Sequence, residues 1–123
     1  MALLAKIMIG LIALEHVYIL WMEMFAWETA GRKTFKGALP DDLFKKTKIL
    51  AANQGLYNGF LAAGLIWTFF IADATWRVNV AVFFLVCVSV AGVYGAFSAS
   101  RKIFWVQALP ALIALLLLFL ANF

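Results

Sequence analysis

The sequence predicts an all-α integral membrane protein, a bundle of four transmembrane helices, and three observations predict it. Of 123 residues, 67% are hydrophobic and only 13% are charged. The mean hydropathy is +1.00, far from the balance of a soluble globular domain. The apolar residues gather into four long continuous runs, each near the roughly 20 residues that cross a hydrocarbon core. A closed barrel would instead show short alternating segments.

The predicted helices cover 3–26, 42–72, 77–99 and 103–122 and form one transmembrane domain. The first could be taken for a secretory signal, since Lys6 precedes an apolar run. Its length and its content of Glu15, His16 and Glu23 argue that it is retained. For the second, Pro40, Asp41 and Asp42 suit a first helical turn. A helix from Asp41 to Ile71 would be about 45 Å long, so its first turns would project from the membrane and Lys45, Lys46 and Lys48 would reach lipid phosphates. Asp73 to Trp76 makes the tight turn into the third helix, and Ser98 to Lys102 the turn into the fourth.

Basic residues set the orientation. Eight of them lie in loops 27–48 and 99–102, against Lys6 and Arg77 on the other face. Both loops are therefore expected in the cytoplasm and both chain ends outside, in a bacterial inner membrane. The net charge of +4 reads as topology control and attraction to membrane lipid, with no nucleic-acid partner. Cys87 is the single cysteine, so neither an intrachain disulfide nor a thiolate metal site can form.

Ionisable side chains inside a spanning helix are costly, at about 2.5 to 3.5 kcal/mol each near the centre, and mark a site. On the first helix, Glu15, His16 and Glu23 project within about 100 degrees of one another. On the second, Asn53, Gln54, Tyr57 and Asn58 fall with Leu61 in an arc of roughly 140 degrees. Gln107 on the fourth shares its face with Ala111, Ala114 and Leu118, beside Pro110. Lipid cannot hydrogen-bond these groups. All eight, Glu15, His16, Glu23, Asn53, Gln54, Tyr57, Asn58 and Gln107, are therefore expected to turn inward and share one buried network that binds a small molecule. No cofactor is expected. Glu15, His16 and Glu23 are weak candidates for a metal, since one histidine and two carboxylates make an incomplete signal. Small-residue rows at Gly55, Gly59 and Ala63, or at Ala91, Gly95 and Ala99, could support a homodimer.

The Glu15–His16 pair followed by Tyr18, Glu23, Met24, Phe25 and Trp27, then Asn53, Gly55, Tyr57, Asn58, Gly59 and Phe60, then Gln107, Pro110 and Ala111, resembles the bacterial membrane-protein family catalogued as domain of unknown function 1304. The resemblance runs over nearly the whole chain and implies a small four-helix membrane protein without an assigned activity. Function must come from the site. One expectation is a proton-coupled carrier in which Glu15 exchanges a proton for a solute. A second is a membrane-embedded enzyme in which His16 and a carboxylate move protons on a lipid-soluble substrate; no hydrolase, phosphate-loop or zinc-protease motif is present. A third is an assembly partner of a larger membrane complex.

Overall fold

The computed structural model describes residues 1–122, and 85% of the chain is helical. The helices are α1 (Leu3–Phe25), α2 (Arg32–Thr34), α3 (Leu43–Lys46), α4 (Lys48–Trp67), α5 (Ala74–Ser98) and α6 (Leu109–Asn122). Five-residue π-helical segments lead from α1 (Trp27–Gly31) and into α6 (Phe104–Ala108). No strand forms among the described residues beyond an isolated bridge between Lys36 and Leu39.

Among the described residues, three stretches are long and apolar enough to cross a membrane: Leu3–Phe25, Ala74–Ser98 and Phe104–Ala121. The expected span over 42–72 is not among them. Asn53, Gln54 and Asn58 lower the hydropathy of α4, and the helix breaks at Thr47, whose backbone turns to φ −101 and ψ 8. The threonine hydroxyl donates to the Leu43 carbonyl at 2.7 Å and accepts the Trp27 indole N–H at 3.0 Å, contacts that suit a bend, while backbone bonds from Thr47 to Leu43 and from Ala51 to Thr47 continue across it. At the other end, Asp73 caps α5 by accepting the Trp76 N–H at 2.8 Å, and Arg77 Nε donates back to the Ile71 carbonyl at 2.9 Å.

The four long helices pack as a ring in the order α1, α4, α5, α6 and back to α1, with α1 against α4 the most extensive pairing. Small residues allow this closeness. A Cβ on Gly55 would stand 2.8 Å from Met24 Cγ, and one on Gly92 would stand 2.6 Å from the Ala108 backbone nitrogen. Gly59 likewise lies against the Leu20 side chain, so Gly55 and Gly59 are taken up by α1 of the same chain, and Ala63 alone of that row remains exposed. In the other row, Gly95 faces Ile103 while Ala91 and Ala99 are exposed.

The apolar core comprises Ala5, Ile9, Ile12 and Ala13 of α1, Leu65 of α4, Ala81, Leu85 and Val88 of α5, and Ala111, Ala114 and Leu118 of α6. In this up-down arrangement most of them belong to the half of the bundle nearer the N-terminus and the 71–73 turn, with Val88 and Ala111 near its middle. The half nearer the basic loops holds the polar residues. Large apolar side chains such as Leu14, Phe83, Val90 and Leu116 cover the outside and are exposed. That is an inverted economy for a protein in water and the expected one for a protein in lipid.

Candidate functional site

His16 lies where the apolar core ends. It is fully buried, with Nδ1 2.8 Å from the Ile12 carbonyl oxygen and Nε2 3.0 Å from the Gln107 amide nitrogen. An amide nitrogen can only donate, so Nε2 accepts, and Nδ1 carries the proton donated to Ile12. The ring is thus held as one neutral tautomer by α1 on one side and α6 on the other. Gln107 reaches it from the π-helical turn Phe104–Ala108. Pro110 follows that turn; lacking an N–H, it cannot bond to Val106 and so loosens the ladder there.

Glu23 stands seven residues beyond His16 on nearly the same face of α1, about 10 Å further along the axis. It is buried, and its Oε1 accepts from Asn58 Nδ2 at 3.0 Å. The same amide group also donates to the Gln54 carbonyl at 3.1 Å, which fixes its orientation. Two pairs therefore form, His16 with Gln107 and Glu23 with Asn58, two helical turns apart.

The single eight-residue network is corrected by this geometry. Glu15, half-buried, makes no hydrogen bond or ion pair among the described residues. Asn53, Gln54 and Tyr57 are exposed, and the Tyr57 ring packs on Phe60 with centroids 6.0 Å apart. The cause is the glycine face of α4. With Gly55 and Gly59 seated on α1, Asn53 and Tyr57 project away from α1 on the opposite side of the helix. Nor do Glu15, His16 and Glu23 converge: no group of three His, Cys, Asp or Glu side chains is placed to hold a metal ion among the described residues.

One row of α4 ties the site together. Gln54, Asn58, Leu61 and Leu65 project within about 60 degrees of one another, and Leu65 belongs to the core. Along this row burial falls steadily, from Leu65 fully buried, through Leu61 and Asn58 half-buried, to Gln54 exposed. This flank of α4 thus changes from leucine to amide, and from buried to exposed, toward the basic end, while Ala51 and Gly55 beside it stay buried, Gly55 against α1. Ser89 of α5 is also buried, with its hydroxyl donating to the Leu85 carbonyl at 2.8 Å. Thr68, fully buried near the other end, carried no signal in the sequence; its hydroxyl donates to the Leu65 carbonyl at 2.6 Å, so it serves its own helix.

Chemically the arrangement offers hydrogen-bond donors and acceptors and one carboxylate in a partly closed setting. It presents no activated nucleophile. A family model described as "Protein of unknown function (DUF1304)" matches residues 10–119. The chain belongs to this family. His16, Gln107, Glu23 and Asn58 all fall within the matched residues. A relative in Lactococcus lactis subsp. lactis (strain IL1403), described as "Uncharacterized protein YpaA", is 29% identical over 117 residues, which are 94% of this chain and 97% of that protein. No solved structure matches the DUF1304 chain.

Proposed function

We propose that this DUF1304 protein crosses a bacterial inner membrane four times, with its basic loops in the cytoplasm and its ends outside, and binds a small polar molecule in a recess open to the basic side. In this reading α1, α4 and α6 frame the recess, the His16–Gln107 pair forms its floor, and Glu23, Asn58 and Gln54 line the approach. The observation that carries it is the change from buried Leu65 to exposed Gln54 along α4, which runs alongside two polar pairs whose α1 members, His16 and Glu23, are buried. Polar groups inside a membrane helix face a bundle interior or a wet cavity, and α4 accounts as a span once its amides have one.

The finer form is a proton-coupled carrier, in which Glu15 and Glu23 exchange protons for solute. Its test is a proteoliposome assay with an entrapped pH dye and a panel of amino acids, polyamines and short carboxylic acids. Solute-dependent proton movement that Glu23→Gln abolishes is the expected result. Absence of any response across the panel, with correctly inserted protein, would overturn the carrier.

A second reading, assembly with another membrane chain, is favoured by Asn53 and Tyr57, which stand on the outer face of α4. It predicts loss of a co-purifying complex in Asn53→Leu combined with Tyr57→Phe. The recess predicts that these two changes leave solute binding intact.

A further inference from the structure

The connection between α1 and α4 is a built structure. Trp27 lies between Phe35 and Phe44, with ring centroids 5.6 and 5.2 Å away, and its indole nitrogen is tied to Thr47. Phe44 is fully buried beneath it. Gly37 turns the chain in the left-handed region at φ +85, next to the Lys36–Leu39 bridge. Arg32 is clamped by three elements: its Nε donates to the Glu28 carbonyl at 3.0 Å, its Nη1 to the Asp41 carbonyl at 2.9 Å, and its guanidinium lies 5.1 Å over the Phe44 ring. It also pairs with the Asp41 carboxylate.

These contacts leave a cleft of ≈ 660 Å³ lined by the apolar Leu39, Pro40 and Phe44 and the cationic Arg32, Lys33 and Lys36. The charges are unevenly settled. Lys46 and Lys48 pair with Asp42 and Glu28 at 3.1 and 3.4 Å, whereas Lys33 and Lys36 have no ion pair among the described residues. Asp41 is the one carboxylate against three cations in the cleft, an excess of two positive charges. The exposed apolar end of α1 at Phe25 lies just before it in the chain.

We propose that this cleft is a binding site for the phosphodiester headgroup of an anionic phospholipid, with Lys33 and Lys36 on the phosphate and the apolar residues against the glycerol and upper acyl chain. The inference rests on the membrane reading above. A cleft that is half apolar and doubly positive suits an amphiphile with a phosphate better than a free inorganic anion. The fixed Arg32 and Phe44 in its lining distinguish it from the diffuse attraction any polybasic loop has for an anionic surface.

Native mass spectrometry of the full chain, extracted with mixed phosphatidylcholine and phosphatidylglycerol, tests it. Retained phosphatidylglycerol is expected, weakened about fivefold by Lys33→Ala and again by Lys36→Ala. Lys45→Ala with Lys46→Ala, which removes the same charge outside the cleft, is expected to leave it unchanged. Equal retention of the two lipids, or equal loss in both double variants, would overturn the site. Displacement by millimolar glycerol phosphate without any lipid preference would assign the cleft to a soluble anion instead. Failure of the membrane reading shows separately, as a chain released from membranes by alkaline carbonate.

Discussion

Gln107 caps the Nε2 atom of His16 at 3.0 Å, joining the π-helical turn before α6 to α1 across the bundle at the level where the apolar core gives way to polar residues. The contact depends on a widened turn. The segment Phe104–Ala108 carries one extra residue per turn, and Gly92 leaves space for its backbone to approach α5.

Replacing Gln107 with Leu strands a buried imidazole acceptor. We expect a loss of about 1 to 3 kcal/mol, read as a lowered midpoint of thermal unfolding in nanodiscs. Nitrogen NMR of labelled His16 should report the Nδ1–H tautomer in the parent chain; in Gln107→Leu the Ile12 carbonyl still holds the proton on Nδ1, and the Nε2 resonance should shift as its hydrogen bond is lost. An unchanged spectrum in the variant would contradict the pairing.

Gly55 and Gly59 are packing positions within one chain. Gly59→Leu should displace the Leu20 side chain from α4 and cost about 1 to 3 kcal/mol, whereas Ala63→Leu, on the exposed surface, should stay within about 0.5 kcal/mol. If Gly59→Leu instead gave a stable monomer from a parent dimer, the row would belong to an interface between copies.

Glu23→Gln keeps an oxygen that can accept the Asn58 amide proton, so stability should change little, while Asn58→Leu removes the partner and leaves Glu23 buried without it. The expected order of unfolding midpoints is parent, close to Glu23→Gln, then Asn58→Leu. Solute binding, if the recess is the site, should fall in both. A stable Asn58→Leu would show that Glu23 is already hydrated.

Orientation can be read by labelling. With Cys87→Ser as background, a cysteine placed at Lys36 should react with an impermeant maleimide only from the cytoplasmic side, and one at Thr75 only from outside. The reverse pattern would invert the assigned topology.

Much of this molecule was legible in its sequence, and what escaped has definite causes. The inward face of the last helix was plain from spacing, since Ala111, Ala114 and Leu118 recur at helical intervals and all three are buried. Spacing could not decide which of two faces of α4 would meet α1. The glycine face took α1, because close backbone approach there seats Leu20 and Met24 against Gly59 and Gly55, and the polar stripe was split as a result. Asn58 kept an inward partner; Asn53 and Tyr57 did not. A projection at 100 degrees per residue also hides the extra residue at Phe104–Ala108 and the break at Thr47. At the latter the hydroxyl meets an indole twenty positions earlier, a contact that spacing does not reveal.

The account turns on water reaching the inner face of α4 from the basic end. In the Cys87→Ser background, single substitutions Gln54→Cys, Asn58→Cys and Leu65→Cys, treated with a charged methanethiosulfonate that reacts only with hydrated thiolate, measure this directly. Reaction should be fast at position 54, slower at 58 and absent at 65, and only from the side of the basic loops. Position 54 as inert as 65 would mean that no recess exists.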